Sequence, residues 1–125
     1  MDDIVHLKGL HVLKLENSKL RNYDFIGEIT GLTELSLSNS VVRSLEFIKP
    51  LEKLEVLNVS YCSIQDLSPL KSLSELRWLT LTSISSKDIE VLKSLQNLEG
   101  VHVLESLSED ELLELEERID CEITN

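Results

Sequence analysis

The side chains that could do chemistry are few and scattered. His6 and His11 lie near one end of the chain and His102 near the other, so they form no metal-ligand cluster. Cys62 and Cys121 have neither a zinc-motif spacing nor that of a thioredoxin-type pair. Carboxylates are plentiful, 23 of them, but no two are set by the sequence in an apolar pocket, as acid–base catalysis would need. There is no nucleophile elbow and no phosphate-binding glycine loop, and the chain has only four glycines. Asn58-Val59-Ser60 matches the glycosylation triplet, a pattern short enough to recur by chance. These residues point away from an enzyme and imply no cofactor and no metal.

A different chemistry remains, that of contact. Trp78 is the only tryptophan, Arg77 precedes it, and Tyr61 lies upstream. Tryptophan, tyrosine and arginine are the residue types that dominate binding hot spots. A fully exposed indole that becomes buried covers roughly 150–250 Å², worth about 4–6 kcal/mol before ordering costs. Whether these residues face outward depends on the elements that carry them.

Written in rows of 22, the sequence superposes without a gap. Leu7, Ile29, Leu51, Leu73 and Leu95 form one column, and Leu10, Leu32, Leu54, Leu76 and Leu98 the next. Leu13, Leu35, Leu57, Leu79 and Val101 follow, then Leu15, Leu37, Val59, Leu81 and Val103. Leu20, Val42 and Ile64 extend the pattern, as do Tyr23, Leu45, Leu67 and Ile89, and Ile26, Ile48, Leu70 and Leu92. Each row holds two parts. LxxLxL, as in LEVLNV at 54–59, ends in the alternation of a short strand. The remainder places an apolar residue at every third position, as at 64, 67, 70, 73 and 76. That spacing suits 3₁₀ or extended turns rather than a helix or a strand. One row cannot bury its own apolar side, but stacked rows bury it continuously.

The stretch IQDLSPLKSLSELRWLTL at 64–81 resembles the leucine-rich repeat of the 22-residue class, found in bacterial internalins and in a regulatory subunit of protein phosphatase one. The resemblance covers about residues 4–107. It implies an α/β fold: a right-handed solenoid of about five repeats with a parallel sheet on the concave side and 3₁₀, extended or short helical segments on the convex side. The repeats would run over about 7–28, 29–50, 51–72, 73–94 and 95–107, within a single domain spanning 1–125. Members of the family usually bind proteins on the concave sheet and are not enzymes. The family's usual turn Asn is replaced here by Ser18, Ser40, Cys62, Ile84 and Ser106. Serine and cysteine keep a small donor, whereas Ile84 does not, so row four is expected to turn differently. Its return, SSKDIEVLKSL at 85–95, has Ser85 and Asp88 at capping-box spacing and reads as a short true helix.

The two ends differ. LSEDELLELEERID carries a capping box at Ser108 and Glu111 and a staple of Leu107 with Leu112, which predicts a capping helix over about 109–119. Residues 121–123, CEI, then read as a sixth strand. Ile4 falls in the Ile26 column, so the chain begins partway through a coil, and an open first edge is expected near residues 11–15. The formal charge is −11, and it is uneven: residues 105–125 hold nine acids and one base, leaving a net of −3 on residues 1–104. This argues against nucleic acid and anionic membranes, which need a basic footprint, and it is compatible with a basic protein partner. The plainer account of the acidic run is a solvated outer helix face. No apolar run is long enough to span a membrane, and the start of the chain is acidic where a secretory signal would be basic. The expected location is cytoplasmic, or extracellular if the chain is a fragment.

The outward positions of the strands would carry function. By row they are Val12, Lys14, Glu16 and Asn17; Glu34, Ser36, Ser38 and Asn39; Val56, Asn58, Ser60 and Tyr61; Trp78, Thr80, Thr82 and Ser83; Gly100, His102, Leu104 and Glu105. The expected partner-binding residues are Val56, Asn58, Tyr61, Arg77, Trp78, Thr80 and His102. The expected function is a non-enzymatic module for a protein or peptide, such as an inhibitor or immunity-type protein for a basic partner. The alternative is a structural or self-assembling segment, monomeric or weakly dimeric through its N-terminal edge.

Overall fold

The computed structural model describes residues 9–64, 66–82, 86–103, 110, 113, 117 and 122–124. Six strands follow one another in the sheet in chain order: β1 (Val12–Lys14), β2 (Glu34–Ser36), β3 (Val56–Asn58), β4 (Trp78–Leu81), β5 (Gly100–Val103) and β6 (Glu122–Thr124). All neighbours are parallel, and each residue pairs with the one 22 positions along, from Val12 with Glu34 through Gly100 with Glu122. The expected sixth strand is therefore present. The alternation within each strand sends Leu35, Leu57, Leu79 and Val101 inward, all 1% exposed or less.

The every-third spacing has a direct cause in hydrogen bonding. Ile26 N–H donates to Tyr23 O at 3.0 Å, Ile29 to Ile26 at 3.0 Å, and Leu32 to Ile29 at 3.1 Å. The next row repeats this with Ile48 to Leu45, Leu51 to Ile48 and Leu54 to Leu51, and the third with Leu70 to Leu67, Leu73 to Leu70 and Leu76 to Leu73. Each buried apolar residue thus gives its N–H to the apolar residue three before it, so every turn returns one side chain to the interior. The central part of each return is a 3₁₀ helix: Asp24–Glu28, Glu46–Ile48 and Ser68–Ser72. A side-chain acceptor starts each one. Asn22 Oδ1 accepts from Asp24 N–H, Ser44 Oγ from Glu46 N–H, and Asp66 Oδ1 from Ser68 N–H. Residues 22, 44 and 66 are themselves one column of the repeat.

Row four departs as predicted. Its return is the helix α1 (Ser86–Lys93), which buries Val91 and Leu92. The expected turn change at Ile84 and the cap at Ser85 lie outside the described residues. So do residues 1–8, Leu104, Glu105 and Cys121, whereas the expected first edge near 11–15 is β1, the outermost strand of the sheet among the described residues. Within the predicted C-terminal helix, the described Asp110, Leu113 and Glu117 are helical. Among the described residues, no helix is long and apolar enough to cross a membrane.

Three positions correct the sequence reading. Leu20 is 41% exposed rather than interior. The ring of Tyr23, 6% exposed, fills the interior where Leu45 and Leu67 sit in later rows, and its hydroxyl accepts Leu20 N–H at 3.2 Å. Alternation places Ser36 and Ser60 outward, but both are buried. Both are small side chains, Ser36 lies in register between the longer Lys14 and Asn58, and Ser60 Oγ is tied to Asn58 Oδ1 at 2.7 Å and to Ser38 Oγ at 3.0 Å.

Candidate functional site

Two outward columns line the sheet. The first runs Val12, Glu34, Val56, Trp78 and Gly100; the second runs Lys14, Ser36, Asn58, Thr80 and His102. Trp78 is 43% exposed and so projects from the sheet rather than into the core. Its partner on β3 is the half-buried Val56, and its partner on β5, Gly100, offers no side chain to crowd the indole. Thr80 is half-buried and His102 exposed beside this column. Asn58 is partly committed, since its Oδ1 accepts both Ser60 N–H at 3.0 Å and Ser60 Oγ–H at 2.7 Å.

Tyr61 stands one turn beyond β3 and is 59% exposed. Its backbone has φ 56°, in the left-handed region, as do Asn17 at 60° and Asn39 at 55°. These three residues are one column, so the first three rows each place a left-handed residue where the chain leaves the strand. Asparagine suits that conformation; a bulky aromatic does not. In the first two rows the asparagines also bond to each other, Asn39 Nδ2 donating to Asn17 Oδ1 at 2.6 Å. Tyr61 cannot extend that ladder, and its N–H donates instead to Thr82 Oγ1. Hydrophobic patterning reveals the exposure of this column and not its backbone; the paired Asn17 and Asn39 are the signal in the sequence that could have found it.

The adjoining turn column explains how the chain manages without the usual asparagine. Ser40 Oγ donates to Leu15 O at 2.7 Å, and Cys62 Sγ donates to Leu37 O at 2.9 Å. Each satisfies a strand-end carbonyl of the preceding row, so serine and cysteine fill one role. Burial pushes the Cys62 thiol above its usual range, partly offset by a backbone hydrogen bond at Ser40, and this keeps it a donor.

Arg77, next to Trp78 in the chain, is held by two carboxylates. Its Nε donates to Glu99 Oε2, and its Nη1 lies 3.4 Å from Glu55 Oε1. The three residues form one column across rows three to five, and Glu99 first, then Glu55, raise the guanidinium further above its ordinary value. Val56 and Trp78 are thus neighbours in one outward column, while Tyr61 is exposed separately, beyond the end of β3. Among the described residues, no cluster of histidine, cysteine or carboxylate side chains could hold a metal ion.

No protein-family model and no curated protein matches the sequence. Solved structures do match in shape. An internalin (inlF) of Listeria monocytogenes superposes with a TM-score of 0.79 at 25% identity, covering 100% of this chain and 37% of that one. An internalin C2 of the same species gives 0.69 at 24% identity over 85% of this chain and 47% of its own. A leucine-rich-repeat protein of Leptospira interrogans gives 0.63 at 20% identity over 98% and 39%. The chain thus spans less than half the length of each. A six-stranded parallel sheet with a 22-residue register, 3₁₀ returns and these neighbours make the fold a leucine-rich repeat of the internalin-like class.

Proposed function

We propose that the chain is a non-enzymatic interaction module that docks a protein or peptide on its concave sheet, anchored by Trp78 and Tyr61 beside Val56. The observation that supports this most is Tyr61. A tyrosine held at φ 56° costs about 1–2 kcal/mol over a residue suited to the left-handed region, and earlier rows use asparagine there. An exposed aromatic kept against that cost has a use on the surface. Trp78 adds to it: with 43% of its surface open, roughly 100 Å² remains to be covered, worth about 2–3 kcal/mol gross. This is below the full value for an indole, so the site needs both rings and the polar floor around them.

In its finer form the partner is basic and the chain acts as an inhibitor or immunity-type protein, a reading supported by the charge of −11 and not by the fold. The test is affinity capture with wild type against Trp78→Ala combined with Tyr61→Asn. The double variant is expected to lose the main captured protein while its thermal midpoint stays at or above wild type. An unchanged set of captured proteins would remove the concave patch from consideration.

A further inference from the structure

Six large apolar side chains are exposed among the described residues: Val12, Leu20, Val41, Tyr61, Trp78 and Leu113. Val12, Tyr61 and Trp78 belong to the concave side. Leu20 and Val41 do not; they rim a notch of about 410 Å³ on the flank between rows one and two. Tyr23 and Phe47 also line it, their rings stacked with centroids 6.1 Å apart. Arg21 and Arg43, both exposed and one row apart, line the same notch. Neither arginine has an ion-pair partner among the described residues, a state they share with Lys19, Lys53 and Lys71 but not with Lys14, Lys49, Arg77 and Lys93, which pair with glutamates. Two guanidiniums one row apart repel, and an incoming carboxylate relieves that repulsion. Asp24 lines the notch as well and pairs with neither arginine, so the notch keeps a net positive charge.

The complementary shape is in the same molecule. Asp110, Leu113 and Glu117 are helical and exposed, Leu113 at 56%. Spacings of three and four residues put them on one helix face, about 10 Å from end to end. That face reads acid, leucine, acid; the notch reads arginine, apolar rim, arginine. The notch belongs to rows one and two and the helix follows row five, so roughly 15 Å of stacked rows separates them within one chain.

We propose that the notch receives the Asp110–Leu113–Glu117 face of a second copy of this chain. The contact is heterologous, tail of one copy to flank of the next, and so it leaves both outer faces free for further copies. Overall charge opposes association, but the −8 of residues 105–125 meets a body of only −3 in this arrangement. At about 0.15 M salt the screening length is about 8 Å, which damps that general repulsion while leaving contact pairs intact.

Sedimentation equilibrium from micromolar to near-millimolar protein at about 0.15 M salt tests this. The mass of the wild type is expected to rise with concentration. Arg21→Glu with Arg43→Glu, and separately Asp110→Lys with Glu117→Lys, should each weaken association about tenfold or more. Mixed, these two variants should recover association, because the intact acidic face of one meets the intact notch of the other and the two reversed faces, glutamates against lysines, are again opposite in charge. Asp24→Asn should tighten association, and Trp78→Ala should leave it unchanged, which separates this contact from the concave site. A wild type monomeric throughout overturns the proposal. So does association that survives both charge reversals, or a notch that binds an unrelated acidic, leucine-containing peptide while the chain stays monomeric.

Discussion

The inner and outer sides of the same strands differ in one respect that organises the molecule. Inward, Leu35, Leu57, Leu79 and Val101 are nearly the same residue four times over, each sealed from water. Outward, one position away, the column reads Val12, Glu34, Val56, Trp78 and Gly100, which range from a carboxylate to an indole to no side chain at all. The interior repeats because every row must meet the same neighbour above and below. The exterior is released from that demand, so its irregularity is where the chain has room to carry information. Tyr61 is the sharpest case, since there the outer residue also departs from what the backbone prefers.

The largest blow to that contrast should come from the inside. Leu57→Ala is expected to lower stability by about 2–5 kcal/mol, because the rows on either side hold the cavity open. Chemical denaturation would show it, and a loss below about 1 kcal/mol would mean that the rows collapse onto one another freely. Next is Gly27→Ala. A Cβ at that position would sit 2.6 Å from Phe47 O, a backbone atom of the next row, so the first two returns must part, at a cost of about 1–3 kcal/mol. The same denaturation measurement reads it.

The outer substitution Tyr61→Asn should go the other way. It relieves the left-handed strain and is expected to stabilise by about 1 kcal/mol, with the new side-chain amide able to join the Asn17–Asn39 ladder. A destabilised variant would show that the ring holds the turn together, and the case for Tyr61 as a contact residue would go with it. Smallest is Arg77→Gln. The Glu55 and Glu99 carboxylates then face each other across one row unrelieved, so the thermal midpoint should fall slightly at low salt and recover at high salt.

Much of this is readable in the sequence, and the unread part has a common physical origin. The 22-residue columns declare the stacked rows because burial imposes identity on them. The helix at Ser86–Lys93 and the strand at Glu122–Thr124 are likewise legible from capping spacing and alternation. Alternation alone places Ser36 and Ser60 outward, because it says nothing of how deeply a small side chain sits or of the hydrogen bonds that hold Ser60 to Ser38 and Asn58. It also leaves Arg77 unattached, although Glu55 and Glu99 stand directly above and below it once the rows are written out. Tyr61 draws notice for its exposure alone, since backbone torsion leaves no trace in hydrophobic patterning. What goes unread lies between rows, at a separation of 22 along the chain, where local rules do not look.

That constant separation has a consequence for growth. Because β1 to β6 lie in chain order and each pairs only with its immediate predecessor and successor, adding a copy of residues 29–50 between β2 and β3 would lengthen the sheet by one strand without altering any other pairing. The typical loop that must close during folding stays the same however many units are present, so a longer version need not find its shape more slowly, unit for unit. Such an architecture can change its reach by whole increments while keeping its thickness, its curvature and its manner of assembly.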